Sequence, residues 1–277
     1  CRSSPRLGWP ARSCNPALGV LTMTTEEQLP GGHLGGAVRV GDTVRRSAGF
    51  WTPAVAALLR HLEDKGFESA PRFVGIDDRG REILTYIDGE TVGERRPWPS
   101  WTHEDTTLDQ VGDWLREFHE AVADFEPPVD ASWRFGGPWS AGLIVGHNDA
   151  APYNAVWRNG SLAGFIDWEM SAPVTRDWDL AHVAFSWVPL HARSVVEPEG
   201  FTDFDRRSAR LRRLLARYRW DGDAADFIGT VQARALSMAS GLRELAQTGD
   251  RDAARLVREG HADDCERAAA ELDDFSL

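Results

Sequence analysis

Hydrophobic and polar residues alternate along the first part of the chain in a way that predicts a sheet. Short apolar-rich runs at residues 37–40 and 43–46, and again at 71–76 and 82–87, are separated by turns rich in glycine and aspartate. Alternation with period two, bounded by such turns, is typical of strands joined by hairpins. Between the two pairs, residues 52–65 carry apolar side chains at helical spacing, which predicts one helix.

The second part of the chain has helical periodicity over much of its length. Apolar residues recur every three or four positions with few glycines or prolines, which is typical of amphipathic helices. The predicted helices cover residues 106–124, 204–218, 224–248 and 251–272. The pattern therefore indicates an α+β protein whose carboxyl-terminal end is helical.

A short hairpin is predicted inside this helical region. Two apolar-rich runs, residues 155–158 and 161–166, lie on either side of Asn159-Gly160. This dipeptide favours a two-residue type I′ turn, because both central positions of that turn need a positive φ. The segment should therefore fold back on itself as a pair of antiparallel strands.

The register of that hairpin brings two polar side chains together. With a two-residue turn, Arg158 pairs with Ser161, and counting back places Asn154 opposite Phe165. Side chains on a strand alternate between its faces, so Asp167 should lie on the same face as Asn154. An amide oxygen and a carboxylate would then meet at the open end of the hairpin.

A further carboxylate, Asp149, lies just upstream, in a loop that Pro152 keeps from becoming helical. One carboxylate and one amide oxygen that bind a cation, with a second carboxylate free beside them, suit metal-assisted transfer to a hydroxyl group. The alternative interpretation is that Asp149, Asn154 and Asp167 are polar loop residues that cap turns.

Composition limits the kinds of partner. The formal charge of −12 at pH 7 argues against non-specific nucleic-acid binding and is compatible with a cationic small substrate. The arginine-rich stretch at residues 205–220 is a local exception. Apolar residues at helical spacing within it favour an amphipathic helix with its arginines in solvent over a nucleic-acid-binding face.

Two further features concern the cellular location. No apolar run approaches the ~20 residues that a membrane helix needs, so no membrane association is expected. The cysteines, Cys1, Cys14 and Cys265, are odd in number and widely spread. This favours a reducing cytoplasm over a disulfide framework or a zinc site.

The first residues show no periodicity. Residues 1–22 are rich in arginine, serine, proline and glycine, and Met23 opens a stretch that looks like a natural start. We expect residues 1–27 to form a disordered extension. A signal peptide is the alternative, but the segment has no continuous apolar core of sufficient length.

The polar residues around the hairpin resemble a known family. The order His147-x-Asp149, Asn154 five residues later and Asp167 thirteen after that resembles the aminoglycoside phosphotransferase and choline kinase-like branch of the protein-kinase-like superfamily. The segment 176–181, Arg-Asp-Trp-Asp-Leu-Ala, adds to the resemblance. It implies a bilobal α+β fold, with a small antiparallel-sheet lobe at residues 28–88 and a larger, mostly helical lobe at residues 89–277.

The resemblance also implies roles for individual residues. Asp149 would accept the proton of the substrate hydroxyl, while Asn154 and Asp167 would hold Mg²⁺. His147 would brace the loop. Asp179 would anchor it by accepting backbone hydrogen bonds. Glu169 could reach the metal directly or through water.

The nucleotide site departs from the family pattern. A phosphate-covering loop would contain Gly31, Gly32, Gly35 and Gly36, although a plain glycine-rich turn is the alternative. The backbone that would meet the adenine ring comprises Thr85, Tyr86 and Ile87. The usual strand lysine is missing, and of the two strand arginines, Arg45 and Arg46, we prefer Arg45 as its replacement. The helix glutamate that would pair with this cation is also missing; Val55 lies there.

The function implied by the resemblance is that of a small-molecule kinase. It would transfer the γ-phosphoryl group of ATP or GTP, with Mg²⁺, to a hydroxyl of a small and possibly cationic acceptor, for example an aminoglycoside. No nucleic-acid or membrane partner is expected, and a monomer is plausible. The alternatives are a catalytically degenerate binding or immunity protein and, ranked last, a metal-dependent hydrolase.

Overall fold

The computed structural model describes residues 25–29, 36–93 and 96–276. The expected extension therefore lies almost wholly outside the described residues. Three of the predicted loop glycines, Gly31, Gly32 and Gly35, also lie outside them, while Gly36 is described and exposed.

The amino-terminal part is an antiparallel sheet. Its described strands are β1 (Glu27–Gln28), β2 (Val38–Val40), β3 (Thr43–Ser47), β4 (Phe73–Ile76) and β5 (Arg81–Thr85). They lie side by side in the order β1-β2-β3-β5-β4, with antiparallel pairing at every step. The four predicted strands are confirmed. Strand β1 was not predicted, because two residues are too few to show an alternating pattern.

Helix α1 (Thr52–Asp64) follows β3 in the chain. Pro53 lies in its first turn, where its missing N–H costs no hydrogen bond. Leu58, Leu59 and Leu62 are almost completely buried and join the main core. The predicted helix is confirmed, and its apolar stripe is the face that packs against the rest of the protein.

The remainder of the chain is mainly helical. Its helices are α2 (Asp105–Ala121), α3 (Arg176–Trp187), α4 (Arg193–Val196), α5 (Arg207–Tyr218), α6 (Ala224–Gln247), α7 (Arg251–Arg258) and α8 (His261–Glu271). The single helix predicted over 251–272 is wrong, because Gly260 adopts a left-handed φ of 91° and separates α7 from α8. In the described part of the chain, no helix combines the length and apolarity that crossing a bilayer requires.

The arginines of α5 do not simply face solvent. Arg213 and Arg217 form ion pairs with Asp109 and Asp113 of α2, and Arg210 is almost fully buried. The acids repeat every four residues along α2, so they form a row that matches the basic row of α5. The predicted amphipathic helix is confirmed, with Arg212, Arg213 and Arg217 exposed, and the expectation fails for the buried Arg210.

Short strands frame the site loops. Strands β6 (Ile144–Gly146) and β9 (Ala172–Val174) pair antiparallel, and β7 (Ala155–Arg158) and β8 (Ser161–Phe165) form the hairpin.

The core runs directly beneath these strands. The ring centroids of Trp114 and Phe165 lie 4.3 Å apart, and Phe118 meets Trp168 edge-on at 5.2 Å. Burial of such large rings fixes the loops above them, because moving a loop would open a cavity in the core.

Candidate active site

The loop between β6 and β7, residues 147–154, is held from below by Asp179. This carboxylate is fully buried and accepts hydrogen bonds from the backbone N–H groups of His147 (3.0 Å) and Asn148 (2.7 Å). It also accepts one from His119 Nε2 at 3.0 Å. Burial opposes ionisation, but these hydrogen bonds, above all the one from His119, lower the pKa of Asp179 to about 2. These are the contacts that an anchor of the loop requires.

His147 lies inside the loop, fully buried against aromatic rings. Its ring centroid is 4.5 Å from that of Trp168, and its Nδ1 accepts a hydrogen bond from the Asp149 N–H at 3.3 Å. Burial lowers the pKa of His147, although nearby carboxylates oppose the shift. The imidazole is therefore suited to bracing the loop in its neutral form.

Asp149 has both carboxylate oxygens engaged. Its Oδ1 accepts a hydrogen bond from the Tyr153 hydroxyl at 2.7 Å, and its Oδ2 accepts one from Asn154 Nδ2 at 2.8 Å. The same Asn154 nitrogen donates to the backbone carbonyl of Asp149 at 2.9 Å. The imidazole Nε2 of His182, on α3, lies 3.4 Å from Oδ1. Asp149 and Asn154 are thus brought into direct contact.

The hairpin turn forms as predicted, but the register does not. Arg158 pairs with Ser161, and Asn159 and Gly160 both have positive φ angles of 54° and 78°. Further along, however, Phe165 lies opposite Ala155. The prediction that Asn154 lies opposite Phe165 is therefore wrong by one residue.

A β-bulge causes this shift. Val156 pairs with Gly164 while Trp157 pairs with Leu162, so that Ala163 is an extra residue on β8. Gly164 has a φ of 152°, and a β-carbon there would lie 2.4 Å from the Ser69 carbonyl oxygen. The bulge lets β8 approach the neighbouring backbone closely.

Asp167 leaves the strand pattern altogether. Its φ of 64° and ψ of 62° are left-handed, so alternation along β8 does not determine where its side chain points. The strand ends are instead held by a hydrogen bond from the Ile166 N–H to the Asn154 carbonyl at 2.9 Å. Asp167 is directed toward the sheet, where its Oδ1 accepts a hydrogen bond from Arg46 Nη1 at 2.7 Å.

Arg46, and not Arg45, faces the site. Besides Asp167, its guanidinium contacts Glu169 through Nη2 and Glu82 through Nε, the last at 2.8 Å. Arg45 points elsewhere and donates to Thr43 Oγ1 at 2.6 Å. The preference for Arg45 is therefore wrong in its geometry.

The reason for this orientation lies in the neighbouring strand. The β3–β5 register places Arg46 directly opposite Glu82, on the face of the sheet that looks toward the loop after β8.

Glu169 lies between two guanidiniums. It is only 5% exposed and contacts both Arg46 and Arg134, while the Arg134 guanidinium lies 4.7 Å from the Trp51 ring centroid. Burial raises the pKa of Glu169, as does Asp167, and the two arginines oppose that shift. In this structure the Glu169 carboxylate binds arginine side chains. Its contact with a metal, directly or through water, stays a prediction.

Comparison with known proteins agrees with this geometry. A model described as the phosphotransferase enzyme family matches residues 137–212, the stretch that holds the loop, the hairpin and Asp179. The trifolitoxin immunity protein of Rhizobium leguminosarum bv. trifolii is 39% identical over 201 residues, covering 71% of this chain and 75% of that protein. The chain belongs to the phosphotransferase enzyme family, within the kinase-like superfamily.

Solved structures show the same kinase-like fold. A choline/ethanolamine kinase family protein from Mesorhizobium loti superposes with a TM-score of 0.60 at 16% identity, over 94% of this chain and 92% of that one. The GDP complex of aminoglycoside 2'-phosphotransferase-IIIa gives 0.60 at 16% identity, over 92% and 95%. The expected α+β fold, with a small antiparallel sheet and a larger helical part, is thereby confirmed.

The two side chains predicted to hold Mg²⁺ each keep one oxygen free, Asn154 Oδ1 and Asp167 Oδ2. Neither accepts a hydrogen bond from the described residues, whereas the other polar atoms of both side chains are engaged. No group of three or more His, Cys, Asp or Glu side chains suited to a metal occurs among the described residues. Mg²⁺ needs only one or two protein oxygens when phosphates and water complete its shell, so these side chains have suitable chemistry and their magnesium role stays a prediction.

The predicted adenine-binding segment ends the sheet. The Thr85 N–H donates to the Arg72 carbonyl at 3.0 Å, and the Tyr86 N–H donates to the Asp42 carbonyl at 2.9 Å. Among the described residues, none accepts a hydrogen bond from the Ile87 N–H. Of the three residues, Ile87 is therefore the one whose backbone donor is available to a ligand.

Sequence reasoning missed four residues that touch the site: His119, Arg134, Tyr153 and His182. A lone histidine or arginine on a helix or in a loop gives no signal by itself. One signal was present for His182, because it lies three residues after Asp179 and so shares a helix face with it.

Proposed function

We propose that this protein is a small-molecule kinase that transfers the γ-phosphoryl group of a nucleoside triphosphate to a substrate hydroxyl. The observation that carries the proposal is the contact between Asp149 and Asn154 in a loop anchored by Asp179. The contact fixes a carboxylate beside an amide whose oxygen stays free, which is the arrangement that phosphoryl transfer to a hydroxyl needs.

In the proposed reaction, Asp149 orients the acceptor hydroxyl and takes its proton. The hydroxyl oxygen forms a bond to the γ-phosphorus as the bond to the bridging oxygen breaks, and the nucleoside diphosphate leaves with that electron pair. The hydrogen bonds from Tyr153 and Asn154 hold the carboxylate in one orientation for this step.

Asn154 and Asp167 would hold Mg²⁺ through their free oxygens. The ion, when bound, neutralises negative charge on the phosphates. Arg46 would supply a further positive charge, and its planar guanidinium can bind phosphate oxygens through two parallel hydrogen bonds. The bound GDP and ADP of similar structures support a nucleotide co-substrate, either ATP or GTP.

The acceptor would bind against the helical part of the protein. Similar structures include aminoglycoside phosphotransferases and a choline/ethanolamine kinase family protein, whose names indicate small acceptors. The net charge of −12 favours a cationic acceptor of that kind.

Acceptor-dependent release of nucleoside diphosphate tests the proposal. A panel of aminoglycosides, macrolides, choline-like amines and sugars should contain at least one compound that stimulates release by the parent protein. Asp149→Asn should lower that rate roughly a thousandfold, because it removes the proton acceptor but keeps the shape. Parent-like turnover by Asp149→Asn and Asp167→Asn would refute the mechanism.

A second candidate is a kinase-like immunity protein that binds a toxin without phosphoryl transfer. It is supported by the 39% identity to the trifolitoxin immunity protein. It is also supported by the ion pairs of Arg46 with Asp167 and Glu169, which already engage these two carboxylates. This candidate predicts saturable toxin binding that is equal in the parent and in Asp149→Asn, with no nucleoside diphosphate released by either.

A further inference from the structure

The strand pairing that turns Arg46 toward the site also gives it a carboxylate partner. Strands β3 and β5 run antiparallel, and their register places Arg46 directly across from Glu82. Arg46 Nε lies 2.8 Å from Glu82 Oε1. Because the two residues share one face of adjacent strands, the backbone pairing itself keeps the side chains together.

Glu82 is buried where strand β5 meets the start of helix α1. It is 5% exposed, and its Oε2 lies 3.5 Å from the hydroxyl of Thr52, the first residue of α1. Among the described residues, Arg46 is the cation paired with Glu82. Separating the pair would leave a buried carboxylate without a partner, which is costly. Both this cost and the attraction between the charges keep Arg46 and Glu82 together.

The three carboxylates around Arg46 are not equivalent. Glu82 binds Nε, at the base of the guanidinium, and is fixed by the sheet. Asp167 and Glu169 bind the two terminal nitrogens and belong to the loop that follows β8. A phosphate that arrives from the cleft can replace a loop carboxylate at these outer nitrogens while the bond to Glu82 persists.

We propose that Glu82 is the positioning residue for Arg46, in place of the acidic residue that the family pattern places in α1. The inference rests on the proposed function. Glu82 holds the guanidinium plane so that its terminal nitrogens face the cleft, where they exchange Asp167 for nucleotide phosphate. The acid thus comes from strand β5, and the Val55 position in α1 needs no carboxylate.

A double-mutant cycle on nucleotide binding tests this proposal. Calorimetry with Mg·ADP, or with Mg·GDP if the parent prefers it, would be run on the parent, Glu82→Gln, Arg46→Ala and the double variant. Glu82→Gln should weaken binding about tenfold or more, the size expected for a hydrogen bond between charged groups. In the Arg46→Ala background the same change should have little further effect, because Glu82 acts through Arg46.

Glu26→Gln is the matched control. Glu26 pairs with Arg79 and Arg81 near the same sheet but away from Arg46, so nucleotide affinity should stay at the parent value. If Glu82→Gln does not fold, Glu82→Asp keeps the charge on a shorter side chain and should weaken binding by a smaller factor. Equal losses with and without Arg46, or no loss in either background, would overturn the proposal.

The inference and the proposed function fail in different ways. Normal turnover by Asp149→Asn would remove the proposed reaction, whatever Glu82 does. Unchanged nucleotide affinity in Glu82→Gln, with turnover lost in Asp149→Asn, would leave the kinase and remove only the role of Glu82. A parent protein that binds neither nucleotide would overturn both.

Discussion

Replacing Asp179 by alanine should destabilise the protein and disorder its candidate catalytic loop. The carboxylate accepts hydrogen bonds from His147 N, Asn148 N and His119 Nε2, and it is completely buried. Alanine removes the acceptor of all three hydrogen bonds at once. Water cannot replace them without entering the core.

The magnitude follows from the donors left behind. Each buried donor without a partner costs about 1–3 kcal/mol, so two amides and one imidazole predict a loss of about 3–9 kcal/mol in the free energy of unfolding. The lowered pKa of Asp179 gives a second value for this loss. Lowering the pKa of Asp179 to about 2 corresponds to roughly 2–3 kcal/mol.

The sign of the pH dependence is also fixed. A carboxyl group with a lowered pKa in the folded protein binds fewer protons there than in the unfolded chain between the two pKa values. Its contribution is therefore fully present above about pH 4 and is lost as the pH falls toward about 2.

Urea unfolding of the parent and Asp179→Ala at pH 7 measures the effect. Asp177→Ala is the control, since Asp177 lies in the same first turn of α3 but is exposed and accepts one hydrogen bond, from Trp220 Nε1 at 3.1 Å. A loss below about 1 kcal/mol for Asp179→Ala, or equal losses for the two variants, would refute the anchoring argument.

Two further substitutions test other parts of the structure. Burial raises the pKa of Glu199 to about 7 despite Arg96, so ionisation of this carboxyl destabilises the fold as the pH rises toward 7. The stability of Glu199→Gln relative to the parent should therefore increase between pH 5 and pH 8, by at most about 3 kcal/mol. A difference between the two proteins that is independent of pH in urea titrations would contradict this. Gly164→Ala should cost about 2–4 kcal/mol in the free energy of unfolding, because its β-carbon would meet the Ser69 carbonyl at a strained φ; an unchanged melting temperature would exclude that contact.

Local patterns predicted the elements whose structure depends on neighbours in the chain. The strand β3 and the helix α1 follow from periodicity, and the turn at Asn159-Gly160 follows from the φ angles that these two residues tolerate. Gly260 shows the limit of this approach. A glycine within helical periodicity can continue a helix or end it, and its neighbours in the sequence do not decide which.

Features that depend on distant parts of the chain could not be predicted. Alternation required one of Arg45 and Arg46 to face the cleft, but the choice was made by the register with β5, where Glu82 lies opposite Arg46. The one-residue shift in the hairpin likewise arises from the bulge at Ala163, beside which Gly164 lies against Ser69, a residue far away in the sequence. In both cases the missing information was a contact between distant segments and not a local propensity.

The charges around Arg46 bear on whether the missing lysine means a lost activity. Glu82, Asp167 and Glu169 together contact Arg46 and Arg134, so that among these described residues three carboxylates face two guanidiniums. A purely structural ion-pair cluster would be expected to balance its charges, because an excess buried charge is costly. Burial is the main cause that raises the pKa of Glu169, and the neighbouring Asp167 adds to it, while Arg46 and Arg134 oppose the shift. A cluster with surplus negative charge beside free oxygens on Asn154 and Asp167 attracts a cation, and this argues for a site that retains a ligand.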